Sequence, residues 1–314
     1  RDKKEEKTLS INGLSVNKNH NSACLTNGKL YYEISGDNQI YLCAVPIDID
    51  GQAYIVKQYA SGYYYHEVIS LYPIEDKLYV NWLSGISADE YRYYTEQIDV
   101  STDEVVIQCN MNEKYPEIAS TIIYTEWCRQ SRFDSDGNIY FACVGDNKYI
   151  VRKLNISTGD IKDIYLQEMQ HEKDYMYVRL KNYDGKYLYI YKNVNGEALD
   201  GKNIEEKLKK YDNNIYILDT DGNVKDTVTL NGTDDTASGN ISGEFYGGDD
   251  RCLLIVFSTY GIKGLELSEE KTALRAELIE ESRKNKKGSP VVSVSAILDK
   301  SQIGSGAITL EQIT

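Results

Sequence analysis

Several strand-like segments are apolar except for a few charged and aromatic side chains. These side chains are of the types that bind ligands. A charge in an apolar strand is costly unless it is paired or hydrated. These residues should therefore face water, one another or a ligand. The candidate ligand-binding residues are His66, Glu67, Glu126, Trp127, Arg129, Arg179 and Glu244. Two interpretations stay open: a solvated channel with structural ion pairs, or a pocket in which Arg129 and Arg179 bind the ligand.

Sequence motifs of common catalytic sites are missing from the chain. It has no G-x-S-x-G, no H-E-x-x-H and no P-loop. With three histidines, a Ser-His-Asp or Cys-His arrangement would have to form around His66 or His171, and no spacing indicates one. Paired carboxylates stay open, because the chain has 49 acidic residues whose distances in space the sequence does not show. We predict no catalytic residue and no cofactor.

Three Asp-x-Asp-Gly segments, beginning at Asp48, Asp134 and Asp219, resemble the start of a calcium-binding loop. They lack the remaining ligands of that loop, and each stands where a hairpin turn is required. We therefore predict plain turns and no metal site.

The six cysteines are scattered without C-x-x-C spacing. A chain of this length does not depend on a disulfide framework, so buried thiols in strands are the favoured interpretation. One disulfide, between Cys128 and Cys143, stays open because the repeat described below places them on adjacent strands. Zinc is disfavoured, since none of the histidines lies near a pair of cysteines.

Composition limits the partners of the chain. Its 35 basic and 49 acidic residues give a net charge of −14, which repels phosphate backbones and argues against nucleic acid. No stretch approaches the roughly 18 apolar residues of a membrane span. Most of the aromatic residues are tyrosines, with 28 Tyr against 4 Phe and 2 Trp. Because Tyr combines an apolar ring with a polar hydroxyl, it suits sheets that have one face in water. The charged start at Arg1 is typical of a chain whose signal peptide has been removed. We expect an extracytoplasmic protein, secreted or held at the surface by an upstream lipid anchor.

An internal repeat organises almost the whole chain. Five segments open with a polar turn that leads into a strand, and their aligned apolar positions are Leu30, Leu78, Ile139, Leu188 and Leu253. The spacings between these positions are 48, 61, 49 and 65 residues. Such self-similarity indicates a repeat architecture.

Each copy of the repeat contains four predicted strands. The first strands are predicted at residues 22–25, 64–71, 122–131, 175–181 and 241–246. The third strands are predicted at 39–46, 91–100, 149–156, 214–218 and 291–298, and the fourth at 53–58, 105–109, 161–166, 224–230 and 307–313. Four-stranded antiparallel units repeated in this way indicate an all-β fold, a β-propeller of about five blades. The candidate ligand-binding residues fall on the first strands, which border the channel of a propeller.

The chain resembles bacterial extracytoplasmic propellers of the TolB-like and YWTD-like groups and their uncharacterised lipoprotein relatives. The resemblance rests on Gly-Lys-Leu-Tyr-Tyr at residues 28–32 and on Asn-Asn-Ile-Tyr-Ile-Leu-Asp-Thr-Asp-Gly-Asn at residues 213–223. Both motifs are structural, and the Tyr-Trp-Thr-Asp tetrapeptide of one group is absent. The resemblance implies a fold and transfers no site residue.

Two insertions, residues 199–211 and 267–285, separate the second and third strands of copies four and five. The first suggests a short helix. The second predicts a clearer helix, capped by Ser268, with an apolar stripe of Leu274, Leu278 and Ile279. Both should rise from one face of the propeller. We assign residues 1–20 to a tether that could add a closing strand, and residues 21–314 to one propeller domain.

A regular repeat without catalytic motifs favours a non-catalytic binding or scaffold module. We expect it to act as a monomer and to contact a protein or carbohydrate through the face that carries the insertions. The alternative is an enzyme of the glycoside hydrolase or lyase type, which would place carboxylates around a central funnel and perturb their protonation. A third interpretation is a sensor or accessory part of a longer polypeptide.

Overall fold

The structure is a computed structural model that places fifteen parts of the chain. They are residues 15–16, 23–36, 39–47, 51–60, 70–85, 90–123, 126–127, 131–169, 176–194, 214–230, 243–248, 251–257, 264–265, 268–285 and 294–313.

The strands form five antiparallel sheets, numbered here in chain order. Sheet 1 contains β1 (Ser15–Val16), β2 (Ala23–Thr26), β3 (Lys29–Gly36), β4 (Gln39–Pro46) and β5 (Tyr54–Ala60). Sheet 2 contains β6 (Ser70–Ile74), β7 (Lys77–Gly85), β8 (Tyr91–Asp99) and β9 (Glu104–Asn110). Sheet 3 contains β10 (Arg132–Phe133), β11 (Asn138–Gly145), β12 (Lys148–Asn155) and β13 (Ile161–Glu168).

The last two sheets have the same plan. Sheet 4 contains β14 (Met176–Tyr183), β15 (Leu188–Val194), β16 (Asn214–Leu218) and β17 (Val224–Thr229). Sheet 5 contains β18 (Gly243–Gly248), β19 (Cys252–Phe257), β20 (Val294–Asp299) and β21 (Leu310–Gln312). Neighbouring strands pair in sequence order in sheets 2 to 5. This is the all-β, four-stranded repeat of a five-bladed β-propeller, as predicted from the sequence.

Sheet 1 carries one additional short strand. Both β1 and β2 pair with β3, β2 along residues 29–32 and β1 at residues 34–35. Because β4 occupies the other edge of β3, β1 and β2 follow the same edge one after the other. The predicted tether therefore contributes two residues to the first sheet.

One predicted strand is wrong. Residues 122–131 were expected to form the first strand of copy three, but Glu126 and Trp127 form a helical turn, and β10 lies just beyond them. Ile122 makes only an isolated bridge to Cys143. Trp127 is buried in the core, so tertiary packing and not its strand propensity determines its conformation.

Three helices occur in the described ranges: α1 (Met111–Lys114), α2 (Pro116–Ala119) and α3 (Glu269–Asn285). Helix α3 confirms the predicted helix. The Ser268 hydroxyl accepts a hydrogen bond from the Lys271 amide at 3.3 Å, as expected of an N-cap. In the predicted apolar stripe, Leu274 is 49% exposed. No helix in the placed parts of the chain is long and apolar enough to cross a membrane.

The chain divides into two compact units. The first comprises Arg1–Gly145 and Val151–Asp163, and the second comprises Asp146–Ile150 and Ile164–Thr314. In the first unit, sheets 1 and 2 share a core that includes Tyr31, Leu42, Leu78, Val80 and Ile98. In the second unit, sheets 4 and 5 share a core that includes Tyr189, Ile215, Leu253, Phe257 and Ala296.

The cysteines that the structure places are reduced thiols, as favoured from the sequence. The disulfide considered between Cys128 and Cys143 involves Cys128, which lies outside the described residues. Burial raises the pKa of Cys24 to about 12 and that of Cys43 to about 11. Burial also raises the pKa of Cys109 and Cys143.

We expect the four thiols with raised pKa values to resist alkylation, since the thiolate is the reactive form. Iodoacetamide near neutral pH should modify Cys24, Cys43, Cys109 and Cys143 at least about a hundredfold more slowly in the folded protein than in urea. Peptide mass spectrometry measures both rates. Fast labelling of Cys43 in the folded state would contradict the buried position of its strand.

Candidate functional site

The structure describes only some of the candidate ligand-binding residues. His66, Glu67 and Arg129 lie outside the described residues. Glu126 and Trp127 belong to the first unit, and Arg179 and Glu244 belong to the second. The set as a whole therefore stays a prediction, and each described pair has its own surroundings.

Trp127 is part of the core of the first unit. It is 1% exposed, and its indole donates a hydrogen bond to the Trp82 carbonyl at 3.2 Å. Its ring meets Tyr93 and Phe141 edge to face, with centroids 5.6 and 5.4 Å away. Glu126 beside it is also 1% exposed. These contacts give Trp127 a structural task.

Aromatic residues of copy two that the structure places pack against one another. Trp82 and Tyr94 are stacked cross-strand neighbours on β7 and β8, with ring centroids 3.8 Å apart. Tyr59 of sheet 1 meets the edge of Trp82 at 5.0 Å. The neighbouring Tyr63, Tyr64 and Tyr65 lie outside the described residues.

A buried cation meets an acid on the first strands of sheets 4 and 5. The Lys181 ammonium, on β14, lies 3.1 Å from the Glu244 carboxylate on β18, and the Lys181 side chain is only 3% exposed. Arg179, two residues earlier, donates to the Val178 carbonyl at 2.8 Å. Of the candidate residues, Glu244 therefore pairs with a cation of the neighbouring sheet. Lys181 is not among the residues predicted from the sequence, although it lies two residues after Arg179 on the same strand.

A fully buried carboxylate lies between sheets 1 and 2. Glu96 on β8 is fully buried and accepts hydrogen bonds from Lys57 at 2.7 Å, Gln108 at 2.5 Å and the Tyr59 hydroxyl at 3.1 Å. Burial and the Glu96 carboxylate together raise the pKa of Tyr59. Both oxygens of Glu96 are occupied by protein donors, so this group stabilises the contact between the two sheets.

The Asp-x-Asp-Gly segments that the structure places are turns, as predicted. Asp134 accepts from the amides of Asp136 and Asn138 and from the Tyr140 hydroxyl at 2.7 Å. Asp219 accepts from the Asp221 and Asn223 amides in the same way. Asp48 lies outside the described residues. No group of three or more His, Cys, Asp or Glu in the placed ranges is arranged to hold a metal.

Aspartates at the turns fasten adjacent sheets together. Asp226 of sheet 4 accepts from the amides of Gly304 and Gly306 in a turn of sheet 5, at 2.9 and 3.1 Å. Burial opposes ionisation of Asp226, but hydrogen bonds from the Thr227, Gly306 and Gly304 amides outweigh it and lower the pKa of the carboxyl. The positive φ angles of Gly304 and Gly306, 94° and 71°, favour glycine there.

The ends of the sheets that carry the insertions form the candidate contact surface. In sheet 4, Lys192 and Asn214 lie opposite each other, and the chain between them contains the first insertion. In sheet 5, Phe257 and Val294 lie opposite each other, and the chain between them contains α3. Both connections leave the same end of their sheets, because each joins a second strand to a third. Residues 199–211 themselves lie outside the described residues.

Comparison with known proteins gives remote likenesses only. No protein-family model matches the sequence, and no curated protein matches it. Prolyl oligopeptidase B from Galerina marginata is 10% identical, with a TM-score of 0.47 over 90% of this chain and 32% of that chain. TolB from Acinetobacter baumannii is 14% identical, with a TM-score of 0.41 over 90% of this chain and 52% of that chain. An uncharacterised protein from Listeria monocytogenes is 8% identical, with a TM-score of 0.40 over 98% of this chain and 86% of that chain.

The chain spans about a third of the prolyl oligopeptidase and about half of TolB. The extracytoplasmic, lipoprotein-type assignment stays a prediction. No ligand or activity is carried over from these proteins.

Proposed function

We propose that the protein is a non-catalytic binding module, exported and tethered at the cell surface, that contacts a protein or glycan through the insertion-bearing ends of sheets 4 and 5. The observation that carries the proposal is the length of two connections that the fold does not require. In each of them the flanking residues already lie opposite each other in the ladder.

Sheets 1 and 3 show how short the connection between the second and third strands can be. In sheet 1 the paired residues Gly36 and Gln39 are separated by two residues. In sheet 3, Asp146 and Asn147 close the turn with φ angles of 49° and 59°, the left-handed pair that favours a tight hairpin. Sheets 4 and 5 could close in the same way. Their long connections therefore suit a task other than sheet formation.

Helix α3 has the properties of a recognition element. None of its side chains that the structure places is buried. Its first turn carries Glu269 and Glu270, which complement the helix dipole, and Lys284 pairs with Glu280 at 2.8 Å. The base of the connection is anchored by Leu265, which is 2% exposed in the shared core of sheets 4 and 5. A capped helix on an anchored base presents a defined surface to a partner.

The aspartates at the turns and sheet contacts are unlike the acid of a glycosidase. Such an enzyme needs a carboxylic acid whose pKa is raised so that it can donate a proton. The pKa values of Asp99, Asp103, Asp184, Asp219, Asp226 and Asp299 are shifted downwards instead. Each of them accepts hydrogen bonds within a turn or between sheets.

The test replaces residues 199–211 and 268–288 with short Gly-Ser linkers, which leaves Leu265 in place. Glycan and peptide arrays are probed with both proteins, and the bound array ligands are then analysed by mass spectrometry. We expect the intact chain to bind a subset of ligands without cleaving them, and the double replacement to weaken that binding at least tenfold.

The matched control replaces Asp146-Asn147 with Asn-Gly, which edits the corresponding turn of a sheet without an insertion and should leave binding unchanged. Equal binding by the double replacement would refute the surface assignment. Cleaved array ligands would refute the non-catalytic assignment. Protease treatment of intact source cells tests export, since a surface-tethered protein is digested while cytoplasmic proteins survive.

A further inference from the structure

We infer that a notch between sheets 2 and 3 binds a primary ammonium group, the group that lysine side chains and polyamines carry. The notch is formed by the turn before β7, the turn before β11 and the Tyr79 hydroxyl on β7. The chain on either side of it, residues 70–85 and 131–169, is described throughout. The proposed contact surface belongs to sheets 4 and 5, so the two sites can be tested separately.

The Tyr79 hydroxyl lacks the partner that the repeat provides elsewhere. Sheets 1 to 4 have a tyrosine at the same point of the second strand, namely Tyr31, Tyr79, Tyr140 and Tyr189. The hydroxyls of Tyr31, Tyr140 and Tyr189 each donate a hydrogen bond to an aspartate, at 2.5, 2.7 and 2.7 Å. Tyr79 is only 1% exposed, yet in the described parts of the chain its hydroxyl has no hydrogen-bond partner. Its polar atom is therefore available to a ligand.

The position of the Tyr79 hydroxyl is fixed by its surroundings. The ring stacks on Phe133, with centroids 4.7 Å apart. A Cβ atom added to Gly137 would lie 3.4 Å from the hydroxyl oxygen, so the hydroxyl faces the turn of sheet 3. Sheet 3 has Asp134 six residues before its tyrosine, whereas sheet 2 has Pro73 at that position. This difference explains why Tyr79 lacks the usual aspartate.

Three exposed acids at the notch form no ion pair among the described residues. Glu75 and Asp76 belong to the turn before β7, and Asp136 belongs to the turn before β11. Burial raises the pKa of Tyr79, and the charges of Asp134 and of these three acids raise it further. The hydroxyl therefore stays neutral near pH 7, and its oxygen can accept a hydrogen bond from a cation. The acids add the negative charge that attracts one.

The chain itself shows which cation completes a site of this kind. Asp103 and Asp184 accept hydrogen bonds from the repeat tyrosines of sheets 1 and 4. They also bind the ammonium groups of Lys29 and Lys300, each at 2.8 Å. A tyrosine hydroxyl, a carboxylate and an ammonium thus occur together twice. At the notch the hydroxyl and the carboxylates are present, and the ammonium is left to a ligand.

The cations next to the notch do not fill this place. Arg132 at the start of sheet 3 donates to the Ser131 carbonyl at 2.9 Å and to the Tyr72 hydroxyl at 3.4 Å. Lys77 directly follows the acids of the first turn, but it forms no ion pair among the described residues. Neither side chain neutralises the three acids.

The arrangement of the acceptors favours an ammonium over other cations. The acceptors come from three separate segments, a strand and two turns. An ammonium carries three donors that point in different directions, whereas a guanidinium is planar and matches a single carboxylate. In the ranges that the structure places, the acids are not arranged to hold a metal ion.

Calorimetric titration of the full chain at low ionic strength tests the inference with two amines. One probe is the peptide acetyl-Gly-Lys-Gly-amide, which presents a lysine side chain, and the other is 1,5-diaminopentane, a free diamine. The fully acetylated form of each probe has the same stem without the charge. We expect saturable binding of the amines, and binding at least about tenfold weaker for the acetylated forms.

Two variants assign the binding to the notch. Y79F removes only the hydroxyl and keeps the stacked ring, and no hydrogen bond within the described residues is lost. E75Q/D76N/D136N removes the three charges from exposed turn positions. We expect each variant to weaken amine binding about tenfold or more. Thermal unfolding verifies that both variants fold.

The matched control is E90Q/E113Q/E117Q, which removes three exposed acids from the same unit and gives the same net charge as the triple variant of the notch. It should bind the amines as the wild type does. Tighter binding of the peptide would identify a lysine of a protein partner as the source of the ammonium. Tighter binding of 1,5-diaminopentane would identify a free polyamine. Both results support the inference.

Four outcomes would overturn the inference. The first is that neither amine binds saturably. The second is unchanged binding by Y79F, which would show that the amines are held by the general negative charge of the protein. The third is an equal loss of binding in the control variant. The fourth is displacement of the amines by calcium at equal concentration, which would identify a metal site in place of an ammonium site.

Discussion

Replacement of Trp127 with alanine is expected to lower the free energy of unfolding by about 3–5 kcal/mol, the range for truncation of a large buried aromatic residue. The ring is 1% exposed and contacts Tyr93 and Phe141 edge to face. Its removal would leave a cavity in the first unit and deprive the Trp82 carbonyl of its indole donor. Urea unfolding followed by circular dichroism measures the loss.

The W127F variant separates packing from the hydrogen bond. Phenylalanine keeps an aromatic ring in the same space but has no N–H, so we expect a smaller loss of about 1–2 kcal/mol. A ligand-binding task for Trp127 would give the opposite pattern. In that case W127A would retain the stability of the wild type and lose binding on the arrays.

Most of the second, third and fourth strands could be predicted because local chemistry determines them. β4 begins and ends where alternation and the following Asp-rich turn place it, at Gln39 and Pro46. β16 likewise matches residues 214–218. Each of these strands runs from one turn to the next, and apolar and polar residues alternate along it. The turn residues determine where the strand pairing begins.

The first strands were harder to predict, and the errors share one cause. In copy three, the prediction ended at residue 131, whereas β10 ends at Phe133 and pairs with Ile139 across the Asp134 turn. In copy two, the prediction covered residues 64–71, whereas β6 runs to Ile74 beside the turn. A tight hairpin requires the first strand to end directly before the turn. The predicted strands lay too far upstream because the tyrosines of copy two and Trp127 of copy three have a high strand propensity. Propensity alone does not determine where a strand ends, since tertiary packing can override it.

The tyrosines of the repeat also had a different environment from the expected wet face. Tyr31, Tyr140 and Tyr189 are fully buried, and each hydroxyl binds an aspartate. The sequence contains both partners, but Tyr31 and Asp103 are far apart along the chain. Their pairing depends on how sheets 1 and 2 pack, and a repeat pattern does not specify this.

The contact between the turns of sheets 4 and 5, where Lys300 pairs with Asp184 at 2.8 Å, shares this limitation. Lys186, Arg251 and Lys300 each resemble an ordinary turn residue in the sequence, and their spacings along the chain match no motif. Only strand register brings the Arg251 carbonyl to the Lys300 amide. Sites built from turns of different sheets are therefore visible only after the sheets have been paired and packed.

Asp103 is expected to contribute strongly to the stability of the first unit. Its carboxylate accepts from the Lys29 ammonium at 2.8 Å, the Tyr31 hydroxyl at 2.5 Å and the Tyr54 hydroxyl at 2.6 Å. It thereby joins the turn of sheet 2 to β3 and β5 of sheet 1. Replacement with glycine, which tolerates the φ of 59° at this position, should cost about 2–4 kcal/mol through loss of these charge-assisted bonds. Urea unfolding again measures the change.

The dependence on pH identifies the charge as the cause. Burial opposes ionisation of Asp103, but hydrogen bonds from Lys29, Tyr31 and Tyr54 outweigh it and lower the pKa of the carboxyl in the folded state. A lowered folded pKa contributes stability that is fully present above the unfolded value of about 3.9 and is lost as pH falls through the folded value. The difference between wild type and D103N, whose asparagine also tolerates positive φ, should therefore be constant near neutrality and shrink in acid below about pH 4. A difference that stays the same throughout the acid range would show that shape, and not charge, holds these two sheets together at Asp103.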